Sequence, residues 1–421
     1  MRLPASGTVA PMSTTVIEGT STRDLRFKLE AGEGTDSVHK TEEYAYAVAL
    51  LRGTEGLVGS GLTFTLGGGN HLVTQAIEAL ATPLIGRDIE EVMADFGRVF
   101  DEIADHPQYR WLGPHKGVVH LALSALTNAC FDLWAKSRGV PLWRLLLDLT
   151  PQQLVRTLDL SYLEDVLTAD DAVAMLQSGL DTRPQRSDVL ESGYPGYDTS
   201  VGWFEFSTGQ VLEKARAAVD QGFGAVKLKV GSSDSRRDID RAMRLREAMG
   251  PDIRIMLDAN QQWSLPRAIK ICGQLAAMDP YWIEEPTHPD DVFAHRELAR
   301  AIAPLQLAAG EAVPNRVIFK NLLQAEAMHF VQVDATRVGG VSEFITVSLL
   351  ARKVDQPVVP HVGDMGQIHQ HLVLFNRVAL GHEEVFLEYI PHLRDHFIEP
   401  AHVEDGRYLV PTAPGSSSDL R

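Results

Sequence analysis

The chain has 421 residues, 44% hydrophobic and 23% charged, the composition of a globular protein with one large domain and a smaller one. A formal net charge of −17 argues against nucleic acid or an anionic membrane as a partner, since both need a basic face. Only two cysteines, Cys130 and Cys272, leave no disulfide framework or cysteine zinc site, and no run approaches the roughly 20 apolar residues of a membrane span, so a cytoplasmic protein is expected.

Residues 1–11 lack the apolar core of a signal peptide and read as a loose extension. Strand-like alternation follows at Tyr44–Leu51 and Leu57–Leu66, around the turn Gly53-Thr54-Glu55-Gly56. A helical stretch begins near Leu72. A second, Gly117–Lys136, carries Ala122, Ala125, Ala129 and Leu133 at helical spacing, which reads as close helix packing. These elements make residues 1–154 an α+β domain.

From 155 to 396 short apolar strands alternate with amphipathic segments. The strands are expected at Thr157–Leu163, Ala225–Val230, Ile253–Asp258, Trp282–Glu285, Leu305–Glu311, Phe330–Asp334, Pro357–His361 and Val385–Tyr389. Eight strands alternating with helices is the arithmetic of a (β/α)8 barrel of the TIM type, so the fold class is α/β with an α+β N-terminal domain. Residues 164–207, with Tyr194-Pro195-Gly196-Tyr197 and Gly202-Trp203-Phe204, do not fit the simple alternation and read as an insertion, either a lid or a surface elaboration. Residues 397–421 are expected to return to the first domain.

Ionisable residues end seven consecutive strands: Lys227 with Lys229, then Asp258, Glu284, Glu311, Asp334, His361 and Glu388, the last seven spaced 23 to 29 residues apart. An unpaired buried charge costs several kcal/mol, so such a series implies a site, and in a barrel these positions converge on the C-terminal face. Asp258, Glu284 and Glu311 form a set of hard oxygen donors that would repel one another without a cation, and Mg2+ resolves the conflict. Glu285 should point away by strand alternation. Lys227 and Lys229 share a face, and their repulsion should lower Lys229 enough to make it a base. Asp334 beside His361 makes a dyad that fixes the imidazole tautomer, whereas His369 and His371 receive no role. Such a site removes a proton alpha to a carboxylate. Racemisation, epimerisation and loss of a beta hydroxyl all remain open, as does a non-catalytic sugar-acid binder.

The pattern Lys227-Leu228-Lys229, Asp258-Ala259-Asn260, Trp282-Ile283-Glu284-Glu285-Pro286, Gly310-Glu311, Asp334 and Pro360-His361 resembles the mandelate-racemase-like subgroup of the enolase superfamily. Arg110-Trp111-Leu112-Gly113-Pro114, Tyr194-Pro195-x-Tyr197, Asn315-Arg316-Val317 and Asp334-Ala335-x-Arg337-Val338-Gly339-Gly340 are similar to the L-fuconate dehydratases in particular. The resemblance implies an enolase-like modified barrel, a Mg2+ cofactor, an acid-sugar substrate and a homo-oligomer. It implies that Lys229 takes the alpha proton of a six-carbon aldonate and that His361, supported by Asp334, assists loss of the beta hydroxyl to give a 2-keto-3-deoxy acid. L-Galactonate and aldarates are rival substrates. By the same resemblance Lys227, Asn260 and Glu388 contact substrate, and Gly34-Thr35-Asp36 with Tyr44 form a loop that closes over the sugar tail. Two departures bear on the pocket: Ala312 stands after Glu311 where the family has His, and Asp364 introduces an acid beside the dyad.

Overall fold

Alternation in the first domain produces an antiparallel sheet of three strands, β1 (Ile17–Lys28), β2 (Glu43–Gly53) and β3 (Val58–Thr65), with β2 central. Strand β1 was not legible in the sequence because its charged and polar residues leave one edge of the sheet mostly exposed. The computed structural model describes residues 14–40 and 42–421, so the expected extension 1–11 lies outside it.

The helix Gly117–Ser137 crosses β3, and its alanine stripe is explained there. A Cβ at Gly61 would fall 2.0 Å from the carbonyl of Ala125, so helix and strand approach to backbone distance. This helix corrects the expectation that no run is long enough to span a membrane. At 21 residues it is apolar enough by length and composition, but 83% of its most apolar 18-residue window is buried inside the protein, as befits a core helix.

The second sheet is a ring of parallel strands: β4 (Tyr194–Gly202), β5 (Ala225–Lys229), β6 (Arg254–Asp258), β7 (Trp282–Glu284), β8 (Leu307–Ala309), β9 (Phe330–Val331) and β10 (Leu387–Tyr389), with β10 paired back onto β4. The expected strand Pro357–His361 is reduced to a bridge between Val331 and Val358. One buried cluster holds a single apolar side chain from each of the eight positions: Tyr197, Ala225, Met256, Trp282, Ala308, Phe330, Val359 and Phe386. They form a floor across the barrel, and alternation places Lys227, Asp258, Glu284, His361 and Glu388, each two residues further on, one pleat above it.

The first barrel strand corrects the sequence expectation. Thr157–Leu163 folds as turns, because the Asp159 carboxylate caps the Ser161 N–H at 2.9 Å and takes an ion pair from Arg316, which spends the segment on local bonds. The true first strand is β4, inside the expected insertion 164–207. That stretch is therefore no lid: it holds the short helices Ala169–Ser178, Arg183–Arg186 and Val189–Ser192 and then enters the barrel. Glycine at 202 is required by close approach, since a Cβ there would lie 2.1 Å from the Lys227 carbonyl.

Two buried polar contacts join the parts. Ser416 donates through N and Oγ to Asp132 Oδ1 at 2.6 and 2.8 Å, and Gly415 pairs with Pro141, which lays the C-terminal tail on the first domain. Arg316, fully buried, pairs with Asp159 and with Glu343 at 3.1 Å, while His120 lies 2.8 Å from the other Glu343 oxygen. The Gly339 N–H also donates to Glu343 at 2.6 Å.

Candidate active site

Strand register delivers the charged residues to one level. Lys229 on β5, Asp258 on β6 and Glu284 on β7 are successive partners across the sheet. One oxygen from each of Asp258, Glu284 and Glu311 lies within 4.8 Å of the others, so the three could hold a metal ion. An all-carboxylate donor set suits a hard divalent cation such as Mg2+. Burial pushes the Asp258 carboxyl up to about 7, with Lys229 offsetting part of the effect and Glu284 adding to it.

The lysines are held by these carboxylates. Lys227 Nζ lies 2.7 Å from both Glu284 and Glu388, and Glu388 also accepts from the Thr199 hydroxyl at 2.6 Å and the Val362 N–H at 2.9 Å. Glu284 accepts from the Trp282 indole at 2.9 Å. Lys229 pairs with Asp258 and lies 5.9 Å from the Trp203 ring centre. The expected lowering of Lys229 is not what these contacts give. Burial and Lys227 both depress it, but Asp258, Glu311 and Asp36 outweigh them and raise it above its ordinary value.

Across the triad, His361 Nδ1 lies 2.9 Å from Asp334 Oδ2 and its Nε2 lies 3.0 Å from Glu311 Oε2. Burial disfavours the imidazolium, yet Glu311 and Asp334 raise it well above its ordinary value. Asp334 is held far below the usual carboxylate range, because bonds to His361 and His369 overcome its burial. His369 was given no role from sequence. Its Nε2 accepts the Ala335 N–H at 2.9 Å and lies 3.2 Å from Asp334 Oδ1, so it packs against the dyad from behind and fixes the backbone next to Asp334. Nothing in the helical spacing of His369 distinguishes it from His371, which meets Ser417 instead.

The N-terminal loop reaches this mouth. Ser37 donates to the Ala259 carbonyl at 3.2 Å, beside Asp258, and Thr35 accepts Phe204 N–H on its carbonyl and Glu205 N–H on its hydroxyl. A Cβ at Gly34 would fall 2.9 Å from the Tyr44 hydroxyl. Asp36 takes His39 Nδ1 at 2.8 Å, and the charges of Lys229 and Asp36, and of Glu311 and His39, act on one another. His39 is therefore a mouth residue that sequence reasoning missed, although its place three residues after Asp36 was available. Asn260 Oδ1 is buried without a protein partner among the described residues.

Three neighbours behave differently from expectation or sit to one side. Glu285 does not turn away cleanly, because its φ of 40° breaks the strand geometry; it accepts from Gln261 and from the Ala312 N–H, and burial with Glu311 nearby raises it well above its ordinary value. Ala312 is thus tied to Glu285 through its backbone. Asp364 accepts the Ile390 N–H at 2.6 Å, so it clamps the loop after His361 to the end of β10.

The chain matches two family models, the mandelate racemase / muconate lactonizing enzyme N-terminal domain over residues 34–146 and the enolase C-terminal domain-like family over 210–421. It is 40% identical to mitochondrial enolase superfamily member 1 of Homo sapiens over 95% of this chain and 93% of that one, and the crystal structure of the human protein superposes with a TM-score of 0.94 over 98% and 95% of the two chains. It is 38% identical to L-galactonate dehydratase of Hypocrea jecorina over 97% of this chain and 93% of that one. The crystal structure of L-talarate dehydratase from Polaromonas sp. JS666, complexed with Mg and L-glucarate, is 25% identical and gives a TM-score of 0.76, covering 97% and 96% of the two chains.

Proposed function

We propose, for a chain that belongs to the mandelate racemase / muconate lactonizing enzyme family of the enolase superfamily, that it is a Mg2+-dependent acid-sugar dehydratase acting on L-fuconate or a close six-carbon relative. One observation supports the reading: Lys229 pairs with Asp258 and His361, held by Asp334, lies 3.0 Å from Glu311, so a candidate base and a candidate acid contact different members of the carboxylate triad. Asp258, Glu284 and Glu311 would hold the ion, which when bound supplies positive charge for a carboxylate whose alpha carbon is losing a proton. A cation held by Asp258 would offset the carboxylate charge that keeps Lys229 protonated, and Lys229 accepts that proton on Nζ. His361, fixed through Nδ1 by Asp334, presents Nε2 to the interior and gives its proton to the departing beta hydroxyl as the C–O bond breaks. The products are water and an enol, whose C3 takes up a proton to become the 2-keto-3-deoxy acid. Lys227, Asn260 and Glu388 line the floor of the pocket, while Gly34, Thr35, Asp36 and Tyr44 cover the distal end of the sugar.

A second substrate has specific support. L-Galactonate carries a terminal hydroxyl that L-fuconate lacks, and a relative named for that activity is 38% identical over nearly the whole chain. The test is a keto-acid assay of the purified protein with Mg2+ against L-fuconate, L-galactonate and a set of aldarates. Turnover of L-fuconate that disappears on chelation supports the reading. Turnover of another acid alone corrects the substrate. Solvent deuterium entering recovered substrate without keto acid would replace dehydration by epimerisation.

A further inference from the structure

A cavity of about 810 Å3 opens at the opposite end of the barrel from the carboxylates. It lies between the helix Ala169–Ser178, the short helix Arg183–Arg186, the last turn of the helix Gly340–Lys353 and a π-helical turn, Asn376–Leu380. The helix Gly340–Lys353 ends just before Val358 enters the ring, and Gly381–Glu383 precedes β10, so this cavity faces the N-terminal ends of the strands. A π turn is uncommon and tends to occur at functional positions.

Its charge runs against that of the chain. In a protein with 17 excess negative charges, three guanidiniums and a lysine line this one cavity against two carboxylates, Asp171 and Glu383. Lys353 is answered by Asp171 at 3.0 Å and Arg352 by Asp355 at 2.6 Å. Among the described residues, neither Arg186 nor Arg377 has a carboxylate within ion-pairing distance. Arg186 is pinned by carbonyls: Nε and Nη2 donate to Val378 at 3.2 and 3.0 Å, and Nη2 donates to Gly179 at 2.8 Å. Burial, followed by the charges of Arg377 and Arg352, lowers it below its ordinary value. Arg377 spends one long bond, 3.4 Å, on the His382 carbonyl and keeps its other donors.

We propose that this cavity is a binding site for a small phosphate-bearing metabolite. Guanidinium forks match phosphate oxygens in pairs, and a doubly charged group would supply the counter-charge that Arg186 and Arg377 lack among the described residues. The cavity exceeds a bare phosphate and falls within the size range of small-molecule sites, and Ala174, Met175 and Leu380 give the carbon skeleton an apolar wall. The site is independent of the reaction assigned to the barrel mouth.

The test is thermal unfolding of the full chain in saturating Mg2+ with increasing inorganic phosphate, chloride holding ionic strength constant. A saturable rise in unfolding midpoint is expected. Arg377→Gln should raise the half-saturating phosphate concentration roughly tenfold, the loss of one charge-assisted bond. Glu383→Gln, which removes a like charge from the cavity, should lower it and gives a reading even if Arg377→Gln folds poorly. Glu284→Gln, in the carboxylate triad, should leave the response unchanged. No saturable rise, or a rise abolished by Glu284→Gln and untouched by Arg377→Gln, overturns the proposal.

Discussion

Two buried charge clusters lie in this molecule, and they are built on opposite plans. At the boundary between the domains, Arg316 is answered by Asp159 and Glu343, and Glu343 is answered again by His120 and the Gly339 N–H. Burial alone would raise Glu343, but His120 and Arg316 hold it well below its ordinary value. At the barrel mouth the carboxylates diverge: burial pushes Asp258 up to about 7 and Glu285 well above its ordinary value, while His361 and the lysines hold Glu311 and Glu388 below theirs. The first cluster is closed and needs nothing. The second brings one oxygen from each of Asp258, Glu284 and Glu311 within 4.8 Å of the others, an arrangement that could hold a cation. Convergence of donors, more than burial, separates the two clusters.

The sharpest way to break this contrast is to remove charge from each cluster and read turnover and stability separately. In saturating Mg2+, Lys229→Ala and His361→Asn are each expected to cut keto-acid formation about thousandfold, the scale of general acid–base catalysis, while the unfolding midpoint stays near wild type. Retained turnover in either variant would remove the proposed roles. Arg316→Met should do the reverse. It leaves Asp159 and Glu343 buried without their partner and is expected to cost about 3–5 kcal/mol in denaturant unfolding, with kcat of the folded fraction little changed. If Arg316→Met stays fully stable but inactive, the division between the clusters fails.

A finer test uses Asp198, buried on β4, where desolvation outweighs the bonds from Ser200 and raises its carboxyl from 3.8 to about 6. Between those values the folded protein keeps a proton that the unfolded chain releases, so this residue costs stability as pH rises and the cost is complete above the folded value. Asp198→Asn is therefore expected to stabilise the protein near neutral pH by about 2–3 kcal/mol, with the gain vanishing below about pH 4. A gain that does not vary with pH would show packing as its cause. The smallest expected effect belongs to His369. His369→Phe should lower kcat roughly tenfold by loosening Asp334, with KM nearly unchanged. An altered KM alone would place His369 outside the dyad's support.

The mouth was more legible in the sequence than the strand that begins the ring. Strand-end ionisable residues recur at nearly constant spacing, and strand alternation commits them to one face, so Lys229, Asp258, Glu284, Asp334, His361 and Glu388 could be placed from sequence alone. Strand β4 opens Tyr194-Pro195-Gly196 and closes on Gly202, and those residues signal turns in any local reading. Their cause lies elsewhere: Gly202 is demanded by the Lys227 backbone of the next strand. Thr157–Leu163 alternates like a strand and is diverted by Arg316, more than 150 residues away. His369 and His39 were missed for the same reason, since each acquires its meaning from a partner that only the fold supplies.

The apolar floor formed by Tyr197, Trp282, Phe330, Phe386 and their four companions closes the barrel like the base of a vessel. At the charged end the segment around Ser37 is fastened to the Ala259 carbonyl, next to Asp258, so the first domain grips the vessel at its rim.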